Sequence, residues 1–215
     1  MIINILAGGP EDHLPDLYQY TETDAIWVGV DRGVYHLLKK NIKPEIAFGD
    51  FDSVSQNELS FIESQVAELK RYQPIKDETD TELALNWALE QKPKTIRLFG
   101  ATGGRIDHLF ANVQLLFNPL KSGQDADILL IDRYNEIFLK APGMYKIKKQ
   151  AKKKYISFVP LTLDITDLTL TGFKYPLKNR HISLGSTLCI SNELVSDCGT
   201  FSFSEGILIV IRSHD

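Results

Sequence analysis

Three short stretches of the 215-residue chain combine residue types that do chemistry on phosphate. The first is Gly49-Asp50-Phe51-Asp52-Ser53, which follows an apolar run ending at Phe48. Carboxylates two residues apart point the same way along an extended segment, and paired hard oxygen donors suit Mg²⁺. The competing structural use is a polar turn in which Asp52 or Ser53 caps a helix starting at Ser55. The second stretch is Lys76-Asp77-Glu78-Thr79-Asp80, between a strand-like Leu69 to Tyr72 and a helical pattern. Thr79 or Asp77 can cap that helix, and acids in a first turn favour its dipole. Capping leaves unexplained why four ionisable groups fall within five residues there.

The third stretch, Gly100-Ala101-Thr102-Gly103-Gly104-Arg105-Ile106-Asp107-His108, joins a strand to a helix. Glycines let backbone N–H groups approach a phosphate, a helix N-terminus adds partial positive charge, and Arg105 adds a planar fork. Asp107 and His108 can orient a ribose, a metal-bound water or one another, and Asn112 follows His108 by one helical turn. Neither GxxxxGK[ST] nor GxGxxG occurs, which excludes a P-loop kinase and an ordinary dinucleotide binder. Acids for Mg²⁺ and an anion cradle, without an evident nucleophile, predict phosphoryl or pyrophosphoryl transfer by positioning and charge neutralisation.

These stretches need a frame that brings them to one edge. Strands are expected at Ile2 to Leu6, Ala25 to Val30, Glu45 to Phe48, Thr95 to Phe99 and Asp127 to Ile131. Their continuous apolar character marks strands buried on both faces. Helical spacing over Gly33 to Lys40, Ser55 to Ser64, Thr79 to Glu90 and Arg105 to Phe117 completes a βα alternation, hence a mostly parallel, doubly wound α/β sheet. Such sheets bind ligands at the carboxyl ends of their strands, where all three stretches fall. Beyond Tyr134 helical periodicity stops, and β-rich runs alternate with turn signals at Pro142-Gly143, Gly172, Gly185 and Gly199. The expected organisation is an α/β domain over 1–134 and an all-β sandwich over 135–215.

Composition narrows the partners. With 24 Lys and Arg against 28 Asp and Glu, no global basic field exists to hold a nucleic acid. The lysine-rich run from Lys146 to Tyr155 has no interleaved aromatics and is expected to be a solvated hairpin. No stretch approaches the ~18 apolar residues of a membrane span, and the start lacks a basic signal-peptide region, so a cytoplasmic protein is expected. Cys189 and Cys198 belong to no CxxC pair and are expected to be reduced.

In this order and spacing, GDFDS, DETDTELAL (77–85), GATGGRIDHLFAN (100–112) and ISNEL (190–194) closely resemble the thiamine pyrophosphokinase family. Supporting matches are AGG at 7–9, VGVDRG at 28–33 and LTGFKYPL at 170–177. The resemblance implies transfer of a diphosphate group from ATP to the thiamine hydroxyl, with Mg²⁺, by a homodimer. Its active sites would form where the catalytic domain of one subunit meets the β domain of the other. It implies that Asp50, Asp52 and Asp77 hold Mg²⁺, with Asp31 beside them. Arg105 and the Gly103-Gly104 backbone would grip phosphate, and Asp107, His108 and Asn112 would line the nucleotide. Thr79 and Asp80 would face the reacting centre, and Ser191 and Asn192 the thiamine pyrimidine. The residues do not identify the acceptor of the alcohol proton: Asp80 and Asp77 are candidates, but a carboxylate already bound to metal is a poor base. Animal members stack thiamine on a β-domain tryptophan, whereas Trp27 and Trp87 both lie in the first half here. Phe201 or Phe203 could substitute, although the Phe-Ser alternation is more simply a strand with one apolar face. Two other readings stand beside this one: a metal-dependent phosphoesterase, disfavoured by five scattered histidines, and a non-catalytic thiamine or nucleotide sensor.

Overall fold

The computed structural model describes residues 1–52, 54–66, 68–71 and 77–215. The expectations for Ser53, Tyr72 and Lys76 lie outside them. The chain divides into two compact units, Met1–Arg133 and Tyr134–Asp215.

In the first unit the strands are β1 (Ile2–Leu6), β2 (Ala25–Val30), β3 (Ile46–Gly49), β4 (Leu69–Arg71), β5 (Thr95–Phe99) and β6 (Asp127–Ile131). They lie in the order β6-β5-β1-β2-β3-β4, and every pair is parallel. The core strands are buried along nearly their whole length, as a sheet covered on both faces requires. Chain order reverses at β1, which pairs β2 on one side and β5 on the other. That reversal opens a crevice beyond the carboxyl ends of β1 and β5.

The helices are α1 (Arg32–Lys39), α2 (Gln56–Gln65), α3 (Asp80–Glu90), α4 (Ile106–Leu115) and α5 (Phe117–Lys121). Ser55 starts α2 with a reciprocal capping box to Glu58, which satisfies two backbone donors at once. Thr79 caps α3, its Oγ1 accepting from the Glu82 N–H at 3.2 Å. The single helix expected over Arg105 to Phe117 ends at Leu115 and resumes as α5. Pro119 has no N–H to give the Leu115 carbonyl, so the ladder must restart. Although rich in apolar residues, α4 buries only Asn112, and it leaves Ile106 67% and Phe110 64% exposed.

The second unit is all β. One antiparallel set runs β12-β9-β14-β7, with β7 Asn135–Lys140, β9 Tyr155–Pro160, β12 Asn192–Glu193 and β14 Leu208–Ser213. The other runs β11-β10-β13-β8, with β8 Gly143–Lys148, β10 Asp164–Thr171, β11 Leu177–Ser183 and β13 Cys198–Phe203. Both sets contribute to one core, in which Phe158, Val210 and Leu208 meet Ile165, Leu170 and Phe201. Burying each large apolar side chain contributes about 1.5–3 kcal/mol. Strand β13 alternates strictly, so Phe201 and Phe203 point inward, 2% and 4% exposed. They are core residues, as a strand with one apolar face requires, and do not offer a stacking surface. The lysine-rich run spans the end of β8, the β8–β9 connection with its Gln150–Lys153 bridge and the start of β9; because β8 pairs with β13 and β9 with β14 and β12, it is not the expected hairpin.

Candidate active site

Three carboxylates converge at the ends of β2 and β3. Asp31 follows β2, Asp50 follows β3, and Asp80 opens α3, which packs on both strands. One carboxylate oxygen from each lies within 4.8 Å of the others. Asp31 sits at φ 49°, ψ −125°, a conformation that costs a non-glycine residue about 1–3 kcal/mol. Its backbone N–H donates to the Phe48 carbonyl at 2.9 Å, which holds the residue beside β3. The Oδ1 atom is buried and accepts no hydrogen bond. Burial, and then the charges of Asp80, Asp50 and Asp52, push the Asp31 carboxyl up to about 7.

The space for that carboxylate depends on Gly49. Its φ is +145°, and a Cβ there would stand 2.1 Å from Asp31 Oδ1. The next residue but one, Phe51, has φ +60°, so the GDFDS segment is not extended. It turns instead, with the Asp52 N–H donating to Asp50 Oδ1 at 3.0 Å. Of the residues expected to hold metal, Asp50 joins this acidic group, completed by Asp31 and Asp80, while Asp52 and Asp77 stand exposed outside it. A one-dimensional spacing rule assumed a straight strand where the chain takes a left-handed step.

The glycine turn lies in the crevice between β1 and β5. The Ala7 N–H donates to the Phe99 carbonyl at 2.8 Å and the Gly9 N–H to the Gly100 carbonyl at 2.9 Å. A Cβ on Gly9 would meet that carbonyl oxygen at 2.4 Å, so only glycine lets the two loops run this close. Two buried side chains pin the turn from beneath. Thr102 donates its hydroxyl to Asp132 at 2.7 Å, and Asn112 donates its amide to the Ala101 carbonyl at 2.8 Å. Asn112 therefore shapes the turn from a buried position, its amide facing backbone that would otherwise be unpaired. Gly103 and Gly104 have positive φ and lead to Arg105. The Arg105 guanidinium grips Asp107 through two bonds, Nε at 3.2 Å and a terminal nitrogen at 2.5 Å. That hydrogen bonding draws the Asp107 carboxyl down to about 2. Both side chains, like His108, are exposed, so the pair is worth little to stability and can be exchanged for a phosphate.

Nothing in the residue pattern pointed to His13. Its ring lies against Gly103, 3.1 Å from where a Cβ would be, and its carbonyl accepts from the Arg133 N–H at 2.7 Å. The loop from Ala7 to His13 is thus the opposite wall of the glycine turn.

In the second unit Ser191 is exposed at φ 56°, with its N–H on Ser157 Oγ at 2.9 Å. Asn192 is only 2% exposed. Its Oδ1 accepts from the Tyr175 and Glu193 N–H groups at 3.1 and 2.9 Å, and its Nδ2 donates to the Tyr175 carbonyl at 2.8 Å. Asn192 is therefore a buried amide whose bonds in the structure run to backbone. The clamp fixes the backbone of Tyr175, a residue 58% exposed. Tyr175 sits in the LTGFKYPL segment, the signal that could have found it.

Two family models match the chain. Residues 17–128 match "Thiamin pyrophosphokinase, catalytic domain" and residues 144–208 match "Thiamin pyrophosphokinase, vitamin B1 binding domain". The chain belongs to the thiamin pyrophosphokinase family. Each of the two matches falls within one of the two compact units. A thiamine pyrophosphokinase of Bacillus subtilis is 54% identical over 213 residues, 99% of each chain. One from Caenorhabditis elegans is 26% identical across 86% of this chain and 78% of its own. The crystal structure of the Bacillus subtilis thiamine pyrophosphokinase superposes with a TM-score of 0.95 at 52% identity, covering both chains fully. The structure of the Candida albicans member shares the fold at 19% identity, TM-score 0.83, over 98% of this chain and 89% of its own. Among the described residues no helix is long and apolar enough to cross a membrane.

Proposed function

We propose that this thiamin pyrophosphokinase family member transfers a diphosphate group from ATP to the hydroxyethyl oxygen of thiamine, releasing AMP. The observation that carries the reading is the Asp31, Asp50 and Asp80 group, set in a chain whose two halves match the two domains of the family. Carboxylates this close cannot all stay ionised without a cation, and the buried, unpaired Oδ1 of Asp31 is the oxygen left waiting for one. An all-oxygen donor set fits Mg²⁺. Asp31, Asp50 and Asp80 would hold it, where it supplies charge neutralisation for the triphosphate.

The chain's own residues do the rest. The backbone N–H groups of the glycine turn and the start of α4 receive phosphate oxygens, and Arg105 leaves Asp107 to grip them. The alcohol oxygen attacks the β-phosphorus in line. The bond from that phosphorus to the oxygen bridging the α-phosphorus breaks, and AMP departs with that oxygen. With Asp80 in the acidic group, Asp77 remains to take the alcohol proton, since an oxygen committed to a metal is a poor base. The exposed Tyr175 ring and Ser191 would receive the thiamine pyrimidine. A homodimer with shared sites is supported by α4, whose apolar Ile106 and Phe110 stand exposed just past the glycine turn. A phosphoesterase is not favoured, because the metal-capable group among the described residues contains no histidine.

Incubation with ATP, Mg²⁺ and thiamine decides the matter. AMP and thiamine diphosphate in equal amounts are expected; ADP as the nucleotide product would overturn the assignment.

A further inference from the structure

Two consecutive residues just past β6 hold both walls of the crevice in the first unit. Strands β5 and β6 stay in register up to the Phe99 and Ile131 pair, so Asp132 follows at the level where β5 gives way to the glycine turn. Asp132 is buried, and its carboxylate accepts the Thr102 hydroxyl at 2.7 Å. One residue on, the Arg133 N–H donates to the His13 carbonyl at 2.7 Å. The walls also meet each other. The Thr102 carbonyl oxygen lies 3.0 Å from the position of a Cβ on Gly9, and the His13 ring 3.1 Å from that of a Cβ on Gly103. Thr102 and Gly103 are thus fixed from two sides, by Asp132 and by the Ala7 to His13 loop, and the end of β6 anchors both.

A buried carboxylate is a costly way to fill space, since apolar side chains of like volume pack as well or better. What it adds here is direction. Thr102 precedes Gly103 and Gly104, both at positive φ, and glycine has the widest choice of backbone angles. Where the following N–H groups point therefore depends on where Thr102 is held. We infer that Asp132 is a positioning residue for nucleotide binding, acting through the Thr102 hydroxyl to keep the N–H groups of Gly103, Gly104 and Arg105 turned toward phosphate. That role rests on the phosphate binding proposed for the glycine turn, where a misplacement of about 1 Å can cost about 100-fold.

Calorimetric titration of the full chain with α,β-methylene-ATP at fixed free Mg²⁺ reads nucleotide binding apart from turnover, because the carbon bridge between the α- and β-phosphorus cannot be cleaved. Thr102→Val removes the hydroxyl and keeps the shape, and its Kd should rise about tenfold or more. Thr102→Ser keeps the hydroxyl and should stay within about threefold of the parent, and the thiamine KM of both variants should change by less than about threefold. Asp132→Leu should weaken nucleotide binding as Thr102→Val does. Since each removes the same bond, the double variant should be no more than about threefold weaker than the worse single one. A smaller rise in Thr102→Val, an equal loss in Thr102→Ser, or losses that multiply in the double variant overturn the assignment. A thiamine KM that rises in step with the Kd also overturns it, because a loosened fold would move both. If Asp132→Leu does not fold, the two Thr102 variants decide alone. A parent chain that binds the analogue but forms no thiamine diphosphate refutes the proposed reaction while the Kd values still decide the positioning role; a parent that does not bind it overturns the role itself.

Discussion

Asp31 Oδ1 occupies the space that a side chain on Gly49 would need, at 2.1 Å from the position of a Cβ there. The residue that ends β3 is therefore as much a part of the acidic site as the carboxylates. Gly49→Ala must either expel the Asp31 carboxylate or distort a backbone at φ +145°, at a cost of about 1–3 kcal/mol. The expected result is a fall in kcat/KM of at least about 100-fold, with a melting temperature lower by roughly 4–10 °C. Turnover close to that of the unsubstituted enzyme would show that Asp31 need not stay where it is.

Replacing acids one at a time separates those that converge from those that do not. Asp31→Asn, Asp50→Ala and Asp80→Ala should each lower kcat by three orders of magnitude or more, on the order of 4 kcal/mol. Asp52→Ala should cost about tenfold or less, because its carboxylate is exposed outside the group. Titrating Mg²⁺ checks the assignment: the first three variants should lose saturable activation and the fourth should keep it. The reverse ranking would restore Asp52 as a ligand.

In the proposed mechanism Arg105 exchanges Asp107 for phosphate. Arg105→Ala should reduce kcat/KM by two or more orders of magnitude, ~3 kcal/mol of transition-state stabilisation. Asp107→Asn should be mild by comparison, because the partner removed is the one that phosphate displaces. Steady-state kinetics with ATP varied distinguishes the two. A loss under threefold for Arg105→Ala would put the guanidinium outside the site.

The two aromatic positions make opposite predictions. Tyr175→Ala should raise the KM for thiamine about tenfold or more while leaving the melting curve near that of the parent, and Tyr175→Trp should keep function. Phe201→Ala should instead unfold the second unit more readily, by about 3–5 kcal/mol in denaturant titration, since Phe201 is only 2% exposed in the core. A normal thiamine KM in Tyr175→Ala would exclude the ring as the platform.

Shared sites would be revealed by complementation. A heterodimer of Asp50→Ala and Tyr175→Ala subunits, each impaired alone, should regain activity by pairing an intact acidic group with an intact ring. No recovery in a verified heterodimer would assign each complete site to a single chain.

What could be read from the residues and what could not divides along a physical line. Continuous apolar runs gave β1, β2, β5 and β6 within a residue because a doubly covered strand has no alternative burial. Thr79 announced α3 because capping is a local interaction, whereas the cap of α2 is Ser55 and not the expected Asp52. The membership of the acidic group was not local. It depended on φ +60° at Phe51 and on β2 and β3 being neighbours, so that Asp31 came in from 19 positions upstream of Asp50. Asn112 was legible by its one-turn spacing from His108 and Asn192 by the ISNEL match, but their backbone partners were not. Only burial revealed that each serves a backbone turn. Tyr175 stayed hidden for the complementary reason, since an exposed ring has no periodic signature.

The amide of Asn192 touches Tyr175 only through its main chain. The peg is fixed while whatever hangs from it is interchangeable: position 175 can accept rings of other size and polarity at little cost to folding. Tolerance for altered thiamines could thus be tuned at one surface codon, leaving the phosphate-handling apparatus untouched.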